Sequence, residues 1–541
     1  MTERAHWRIE ARAPRGEATD VRRLTDAADV EPYLADAAHY PGGHTDAVLF
    51  PRSEADVAAI VAAAKPILAI GAQSSLTGGA TPQGETVVST ERMNDVREWG
   101  EGWVRVGPGL ILADLLAQLA ERGSYYPPVP TYDGASVGGT VATNAAGAAT
   151  FKYGPTRPWI RALTVVLASG RVLDLRRGRT TAHPDGYFEI LDEHGRATRV
   201  EVPRAVRPDV PKHSAGYFGA DGMDLIDLFI GAEGTLGFVV DVELDLVAPR
   251  PAWFVGMTPL ASAERAFALS TALRDASETT RRTGDARGID VAAIEYMDRR
   301  SIELLAADGA PAREGVELPA DAEALVLFQA DLPADTTTAM AYDEIAGIDD
   351  VGRDGPLLRL MRLLEAEGVL DSTVVALPGE DAKRRSLFAL REAVPAGVNA
   401  RIRAAQRDVD PSISKAAADV IVPYENFETA MRRYADILDR RGLDYAIWGH
   451  VSDGNVHPNV MATTAAEMLS ARDALLELGD AAIELGGAPM SEHGTGRSPI
   501  KKELLRRLHG DAGVASMRRV KAALDPCGLF APGVLWDPAD G

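Results

Sequence analysis

Pro127-Pro128-Val129-Pro130-Thr131-Tyr132-Asp133-Gly134-Ala135-Ser136-Val137-Gly138-Gly139-Thr140-Val141-Ala142-Thr143-Asn144-Ala145-Ala146-Gly147 is a long run of small residues whose only charged side chain is Asp133. Such a run brings backbone against something large and flat, or against a neighbouring helix. A second glycine-rich stretch, Gly71-Ala72-Gln73-Ser74-Ser75-Leu76-Thr77-Gly78-Gly79-Ala80, separates expected strands at Ile67 to Ile70 and Val87 to Ser89. Its successive backbone N–H groups and small hydroxyls suit a pyrophosphate. The glycine spacing is not that of a dinucleotide fingerprint, and the Lys-Ser/Thr of a phosphate-binding Walker loop is absent. Two such loops in one domain favour a bound cofactor over simple helix packing.

Outward from these loops the elements alternate. Ser53 caps an expected helix through Lys65 with an apolar face of Val57, Ile60, Val61 and Ala64. Val48 to Phe50 and Trp103 to Val106 read as strands, Leu110 to Arg122 as an amphipathic helix, and Leu163 to Leu167 with Arg171 to Leu175 as a strand pair turning at Ser169-Gly170. Residues 176–224 read as an insertion, and Val239 to Val247 closes the unit before Pro249-Arg250-Pro251. From 252 onward, helices at Ala261 to Ala276, Thr336 to Ile345, Lys383 to Glu392, Tyr424 to Arg441 and Ala465 to Leu485 alternate with strands at Val291 to Tyr296 and Ala324 to Ala330. This pattern predicts an α+β domain with an antiparallel sheet. Residues 1–40 are polar and weakly helical, suited to wrapping a surface.

The chain has 541 residues, enough for two or three domains. An apolar content of 46% and a charged content of 25% are those of an ordinary globular protein. A net charge of −22 disfavours nucleic acid as a partner. Cys527 is the single cysteine, which excludes an internal disulfide and an iron–sulfur cluster held by this chain alone. No apolar run is long enough for a membrane span, and the N-terminal MTERAHWRIEARAPRGE has no signal-like apolar core, so cytoplasmic residence is expected. A peripheral membrane contact stays open.

Two histidines flank a tight polar turn in Trp448-Gly449-His450-Val451-Ser452-Asp453-Gly454-Asn455-Val456-His457. If Ser452 to Asn455 form a hairpin loop, His450 lies opposite His457 with Cβ atoms about 4.5–5.5 Å apart. Ser491-Glu492-His493-Gly494-Thr495-Gly496 adds a Glu/His pair, in a chain with ten histidines. His450, His457 and Glu492 form a three-ligand set that leaves coordination positions open, as a catalytic site requires. Such a set serves zinc, manganese or iron.

The motifs IGAQSSLTGGA (70–80), YYPPVPTYDGASVGGTVATNAAGAATFKYGPTR (125–157), KHSAGYF (212–218), DLFIGAEGTLGF (227–238), AIEYMD (293–298), LREAVP (390–395), GHVSDGNVH (449–457), SEHGTGR (491–497) and LDPCGLFAPGVL (524–535) carry a resemblance. Across residues 45–535 the chain resembles the FAD-dependent D-2-hydroxy-acid dehydrogenases of the vanillyl-alcohol-oxidase superfamily. That branch holds D-lactate dehydrogenase of the cytochrome type, the D subunit of glycolate oxidase, and D-2-hydroxyglutarate dehydrogenase. The resemblance implies an α+β fold: a PCMH-type FAD-binding domain of two α/β subdomains, plus a substrate or cap domain whose antiparallel sheet is flanked by helices. The implied divisions are an N-terminal extension at 1–40, the FAD-binding domain at 41–248 with its insertion at about 176–224, the cap at 249–488, and a C-terminal segment at 489–541 that returns to the flavin.

By the same resemblance, Gly71, Ala72, Gln73, Ser74 and Ser75 hold the pyrophosphate, and Pro130, Gly134, Ser136, Gly139, Thr140 and Asn144 follow the flavin and ribityl chain. Glu233, Gly234 and Leu236 complete the pocket. His450, His457 and Glu492 match zinc or manganese ligands, and His493 matches the catalytic base. Arg391 is implied to act on the substrate carboxylate, with Lys212 and Asn459 as further substrate contacts and Asn455 supporting the metal. The activity implied is oxidation of a small D-2-hydroxy acid, D-lactate foremost, with D-2-hydroxyglutarate and glycolate as alternatives. The electron acceptor is then a quinone, a cytochrome or an electron-transfer flavoprotein, and a homodimer stays open.

Three departures qualify the match. Ile70 stands where many relatives have Arg, and no His occupies Gln73 or Ser74, so FAD is expected to bind noncovalently. Pro395 and the segment from Lys415 to Val422 do not reproduce the dicarboxylate pattern of the hydroxyglutarate enzymes, which favours D-lactate. A rival reading, a non-redox flavoprotein like alkylglycerone-phosphate synthase, needs a phosphate cluster that Arg401, Arg403 and Arg407 would have to supply.

Overall fold

The computed structural model describes residues 6–350, 352–410 and 413–537. The first glycine loop leaves the C-terminal end of a small sheet. Its strands run in the order Arg22–Leu24, Val48–Phe50, Thr86–Ser89, Ile67–Ile70, the last three parallel. Ser53 caps the helix Glu54–Ala62 by accepting the Asp56 amide, and that helix packs Val57, Ile60 and Val61 into an apolar cluster with Ile67 and Val88.

The second glycine run belongs to a neighbouring antiparallel sheet, ordered Val96–Gly100, Trp103–Val106, Phe238–Asp245, Ile160–Val166, Val172–Arg176. Its alternating buried side chains pack beneath the helix Leu112–Glu121.

The N-terminal segment does more than wrap the surface. Arg8–Glu10 pairs with Tyr187–Leu191, and Arg22–Leu24 pairs with Val48–Phe50. Within the stretch read as an insertion, Tyr187–Leu191 and Ala197–Glu201 form a hairpin on which the N-terminal strand docks.

The second half is built on an eight-stranded sheet. Along its path Val374–Ala376, Ala252–Leu260, Ala324–Leu332, Val291–Asp298, Tyr445–His450, Asn455–Val460 and Ala416–Ala417 follow one another, and Val420–Ile421 also pairs with Asn455–Val460. Every pairing is antiparallel, and the sheet is flanked by Ala263–Thr283, Asp381–Asp408, Phe427–Asp439 and Ala465–Glu484. The strand Ala324–Leu332 is buried along its whole length, as a central strand covered on both faces must be. No helix among the described residues is long and apolar enough to cross a membrane.

Candidate active site

The hairpin Tyr445–His450 and Asn455–Val460 is buried at every position. Its register differs from the simple four-residue loop. Trp448, not His450, lies opposite His457, because the chain makes a helical turn at Val451–Asp453 and reverses at Gly454 with φ +80°. Pleating returns His450 to the same face as His457, so the two rings meet as a diagonal pair, centroids 5.4 Å apart and nearly perpendicular.

A buried polar string supports His450. Glu295, opposite it on the adjoining strand, accepts a hydrogen bond from its Nδ1 and is paired through its other oxygen with Arg391 Nε at 2.6 Å. His450 Nε2 then lies 3.2 Å from Glu492 Oε1. Burial alone lowers His450, but the Glu295 and Glu492 carboxylates raise it to about 9. His457 goes the other way, because burial lowers it to about 4 against the pull of Asp419.

Asp419 is a hub that no motif in the sequence marks. One of its oxygens accepts the backbone amides of Ser491, Glu492 and His493 at 3.2, 2.9 and 3.1 Å. The other accepts the Ser491 hydroxyl. His457 Nδ1 lies 3.3 Å from the same carboxylate and His493 Nδ1 lies 3.1 Å from it. Burial would raise Asp419, yet the facing histidines hold it well below the usual carboxylate range.

Among the described residues, two triads have donor atoms all within 4.8 Å of one another, His450–His457–Glu492 and Asp419–His457–His493. The first is the better candidate metal site. Asp419 is already engaged by three amides and a hydroxyl, whereas His450 Nε2 is buried without a hydrogen-bond partner and faces Glu492. Asn455 Oδ1 and Asn459 Oδ1 nearby are also buried and unpartnered. Buried polar atoms left unpartnered on the candidate ligands and on the strand that carries His457 are what a site built for a cation leaves in its absence.

Both glycine loops line one cavity, and Glu492 and His493 reach its wall. Gly71, Ala72, Gln73, Ser74, Ser75, Pro130, Ser136, Gly139, Thr140, Glu233, Gly234 and Leu236 all line it. Gly134 and Asn144 do not. Gly134 lies beneath the Tyr132 ring, and Asn144 ends the helix Val137–Thr143 in left-handed conformation while its side chain accepts the Arg157 amide. The backbone amides of Gly71 to Ser75 donate to no protein acceptor among the described residues, which leaves them for an anionic ligand. A side chain at Gly71 would meet Ser136 Oγ at 2.0 Å, so the two loops approach too closely for anything but glycine there. An elongated ligand bearing a pyrophosphate fits this cradle.

Three of the expected site residues have side chains engaged within the protein. Gln73 turns its amide away from the cavity onto the carbonyls of Tyr33 and Ala35, so only its backbone faces a ligand. Lys212 makes no open substrate contact. Its ammonium is fully buried between Glu492 and Asp453, 2.9 Å from the latter, and these carboxylates keep it charged against burial. Arg391 is committed through Nε to Glu295, so it orders the His450 string, and it does not line the cavity. Asn459 donates to the His457 carbonyl, leaving Oδ1 free. Arg401 and Arg407 pair with Asp444 and Asp408 on an exposed face of their helix, and none of Arg401, Arg403 and Arg407 lines the cavity, so the phosphate cluster of the rival reading is not formed there.

Glu233 belongs to the cavity wall and also to a clamp. Its carboxylate accepts the amides of Thr495 and Gly496, both at 2.8 Å, and burial raises it to about 7.

The family described as FAD linked oxidases, C-terminal domain, matches residues 261–535, and the FAD binding domain family matches residues 45–176. The D-2-hydroxyglutarate dehydrogenase of Xanthomonas citri pv. viticola is 28% identical over 96% of this chain and 95% of its own. Glycolate oxidase subunit GlcD of Bacillus subtilis is 28% identical over 93% and 92%, and the D-lactate dehydrogenase of Archaeoglobus fulgidus is 25% identical over 90% of each. Among solved structures, 4-ethylphenol oxidase from Gulosibacter chungangensis superposes with a TM-score of 0.61 at 18% identity, over 96% of this chain and 95% of that one. An alkyldihydroxyacetonephosphate synthase superposes with a TM-score of 0.59 at 15% identity, over 94% and 83%. These two likenesses establish the fold.

Proposed function

The chain belongs to the FAD linked oxidases, and from that premise we propose that it oxidises a small D-2-hydroxy acid, D-lactate foremost, to the 2-oxo acid. One observation carries the reading: Glu492 and His493 line the same cavity as the two glycine loops, so a candidate ligand and a candidate base border the flavin pocket. His450, His457 and Glu492 would hold a zinc or manganese ion, which would supply positive charge to acidify a substrate hydroxyl, and FAD in the cavity would supply a two-electron acceptor.

The remaining work falls to side chains of this chain. His493 takes the hydroxyl proton on its ring nitrogen remote from Asp419. Glu295 and Asp419 hold the imidazoles in place, and Arg391 neutralises Glu295 so that the string stays charged in a buried setting. Asn459 holds the backbone of the candidate ligand His457 by donating its side-chain amide to the His457 carbonyl. Pro395, inside the helix that carries Arg391, and the segment from Lys415 to Val422 depart from the dicarboxylate pattern, which supports D-lactate over D-2-hydroxyglutarate.

Anaerobic mixing of the FAD- and zinc-loaded protein with D-lactate, L-lactate, glycolate and D-2-hydroxyglutarate tests this. D-lactate is expected to bleach the oxidised-flavin absorbance fastest. Faster bleaching by D-2-hydroxyglutarate or glycolate replaces the substrate and keeps the reaction class, and no bleaching by any of the four sinks the reading.

A further inference from the structure

Asp419 is fully buried on the short stretch between the strands Ala416–Ala417 and Val420–Ile421, which pair with the His457 strand. Its contacts run in two directions. Toward the C-terminal loop it takes three consecutive backbone amides, Ser491 to His493, and the Ser491 hydroxyl. Toward the hairpin and the cavity it faces two imidazoles at ion-pair distance, Nδ1 of His457 at 3.3 Å without a formed hydrogen bond and Nδ1 of His493 at 3.1 Å, with ring centroids 5.5 Å apart. Neither imidazole has a second carboxylate at Nδ1 among the described residues. Glu295 does the corresponding service for His450 alone.

We propose that Asp419 is a positioning residue shared by the metal site and the base: one carboxylate fixes the Nδ1–H tautomer of both His457 and His493 and holds the Glu492–His493 backbone. The inference rests on reading His450, His457 and Glu492 as a metal site and His493 as the base. In a neutral imidazole only one nitrogen carries the proton, and a carboxylate at Nδ1 draws it there, leaving the Nε2 lone pair for its task. For His457 that lone pair is the one offered to a metal, and for His493 it is the one that accepts a proton. Because the same atom group also anchors the backbone that carries Glu492, ligand orientation and base orientation are set together. This is the outer support that ligating histidines ordinarily require, here used twice.

The test needs no substrate, so it stands apart from the hydroxy-acid reading. FAD-loaded protein labelled with ¹⁵N-histidine and stripped of metal is studied at pH 8 by two-bond ¹H–¹⁵N correlation, with His457→Gln and His493→Gln giving the assignments. Both rings are expected in the Nδ1–H form, and zinc is expected to shift Nε2 of His457 and not of His493. An Nε2–H tautomer at either ring overturns the proposal. Asp419→Asn, which presents an amide to Nδ1, is expected to lose the tautomer preference at both rings and to weaken zinc binding about 10–100-fold. Unchanged tautomers with unchanged zinc affinity in that variant would also overturn it. Should Asp419→Asn fail to fold, the wild-type spectrum alone decides. If the tautomers are as expected and no hydroxy acid bleaches the flavin, the substrate reading falls and the role of Asp419 stands.

Discussion

His450 and His457 are a few ångströms apart, yet their protonation is pushed in opposite directions, and the metal-free protein should show it. His457 stays neutral in the fold down to about 4, whereas the unfolded chain binds a proton below its ordinary value of 6.5. That contribution to stability is lost as pH falls from 6.5 toward 4. His450 keeps its proton up to about 9, so its contribution is present below 6.5 and is lost as pH rises from 6.5 to 9. Glu233, raised to about 7, and Asp298, raised to about 6, act against His457 over the same range, so the measurement is a difference: relative to the metal-free, FAD-loaded parent, the urea midpoint of His457→Gln is expected to gain as pH falls from 6.5 toward 4, and a difference independent of pH would contradict the assignment. Zinc requires both rings neutral, so its affinity is expected to rise about tenfold per pH unit until His450 has titrated. Competition titrations at pH 7, 8 and 9 measure that slope. The histidines and Glu492 were legible because they cluster in two short motifs. Glu295 and Asp419 were not, although each is the lone charge in an apolar run, VAAIEYM and AAADVIV, where a buried carboxylate must have a partner.

At the scale of elements, the hairpin is set by its turn. Gly454 has φ +80°, and a Cβ there would sit 2.1 Å from the Val422 carbonyl oxygen, a backbone atom next to the supporting strand pair. Gly454→Ala combines left-handed strain of about 1–3 kcal/mol with that collision. It is expected to lower the denaturation midpoint and to weaken zinc binding together, because the displaced turn carries His450 away from Glu492. An alanine variant with unchanged zinc affinity would show that the turn does not set the site. Turn chemistry was visible in Ser-Asp-Gly-Asn, but not the extra helical turn that moves the register from His450 to Trp448, since a loop's length does not fix its conformation. The helix carrying Arg391 runs Asp381–Asp408, well beyond the expected Lys383 to Glu392. Pro395 reads as a breaker, yet tertiary packing of Val394, Val398 and Ile402 carries the helix through it. The two helices that meet at a kink at Gly510 within Pro499–Leu524 lie outside the expected elements despite a Ser498 cap and Pro499 at the first position.

Across the whole molecule, the site is assembled from segments far apart in the chain, and the C-terminal segment is what joins them. The tail forms a bridge beside Ile67, with Ile67 N donating to the Leu529 carbonyl at 2.7 Å and Ala531 N to that of Ile67 at 2.8 Å. Glu233 clamps Thr495 and Gly496, and Lys152 crosses to Asp290 and Asp331 in the second half at 2.6 and 2.7 Å. The alternation of elements made the two-part architecture readable, but not these long-range closures, because nothing local in Arg497 names Glu85 as its partner. Arg497 is the strongest of them. Its guanidinium pairs with Glu85 at 2.7 Å, both side chains buried, and donates to the carbonyls of Thr81 and Pro532. Arg497→Met leaves Glu85 as an uncompensated buried charge, a loss of about 3–5 kcal/mol. Because the residues just before it wall the cavity through His493, the loss is expected to appear as flavin shed during gel filtration as well as a lower thermal midpoint. His450→Gln, which touches the candidate metal site and not this closure, should keep its flavin. Arg497→Met retaining flavin as firmly as the parent would mean that the C-terminal segment supplies chemistry to the cavity without helping to close it.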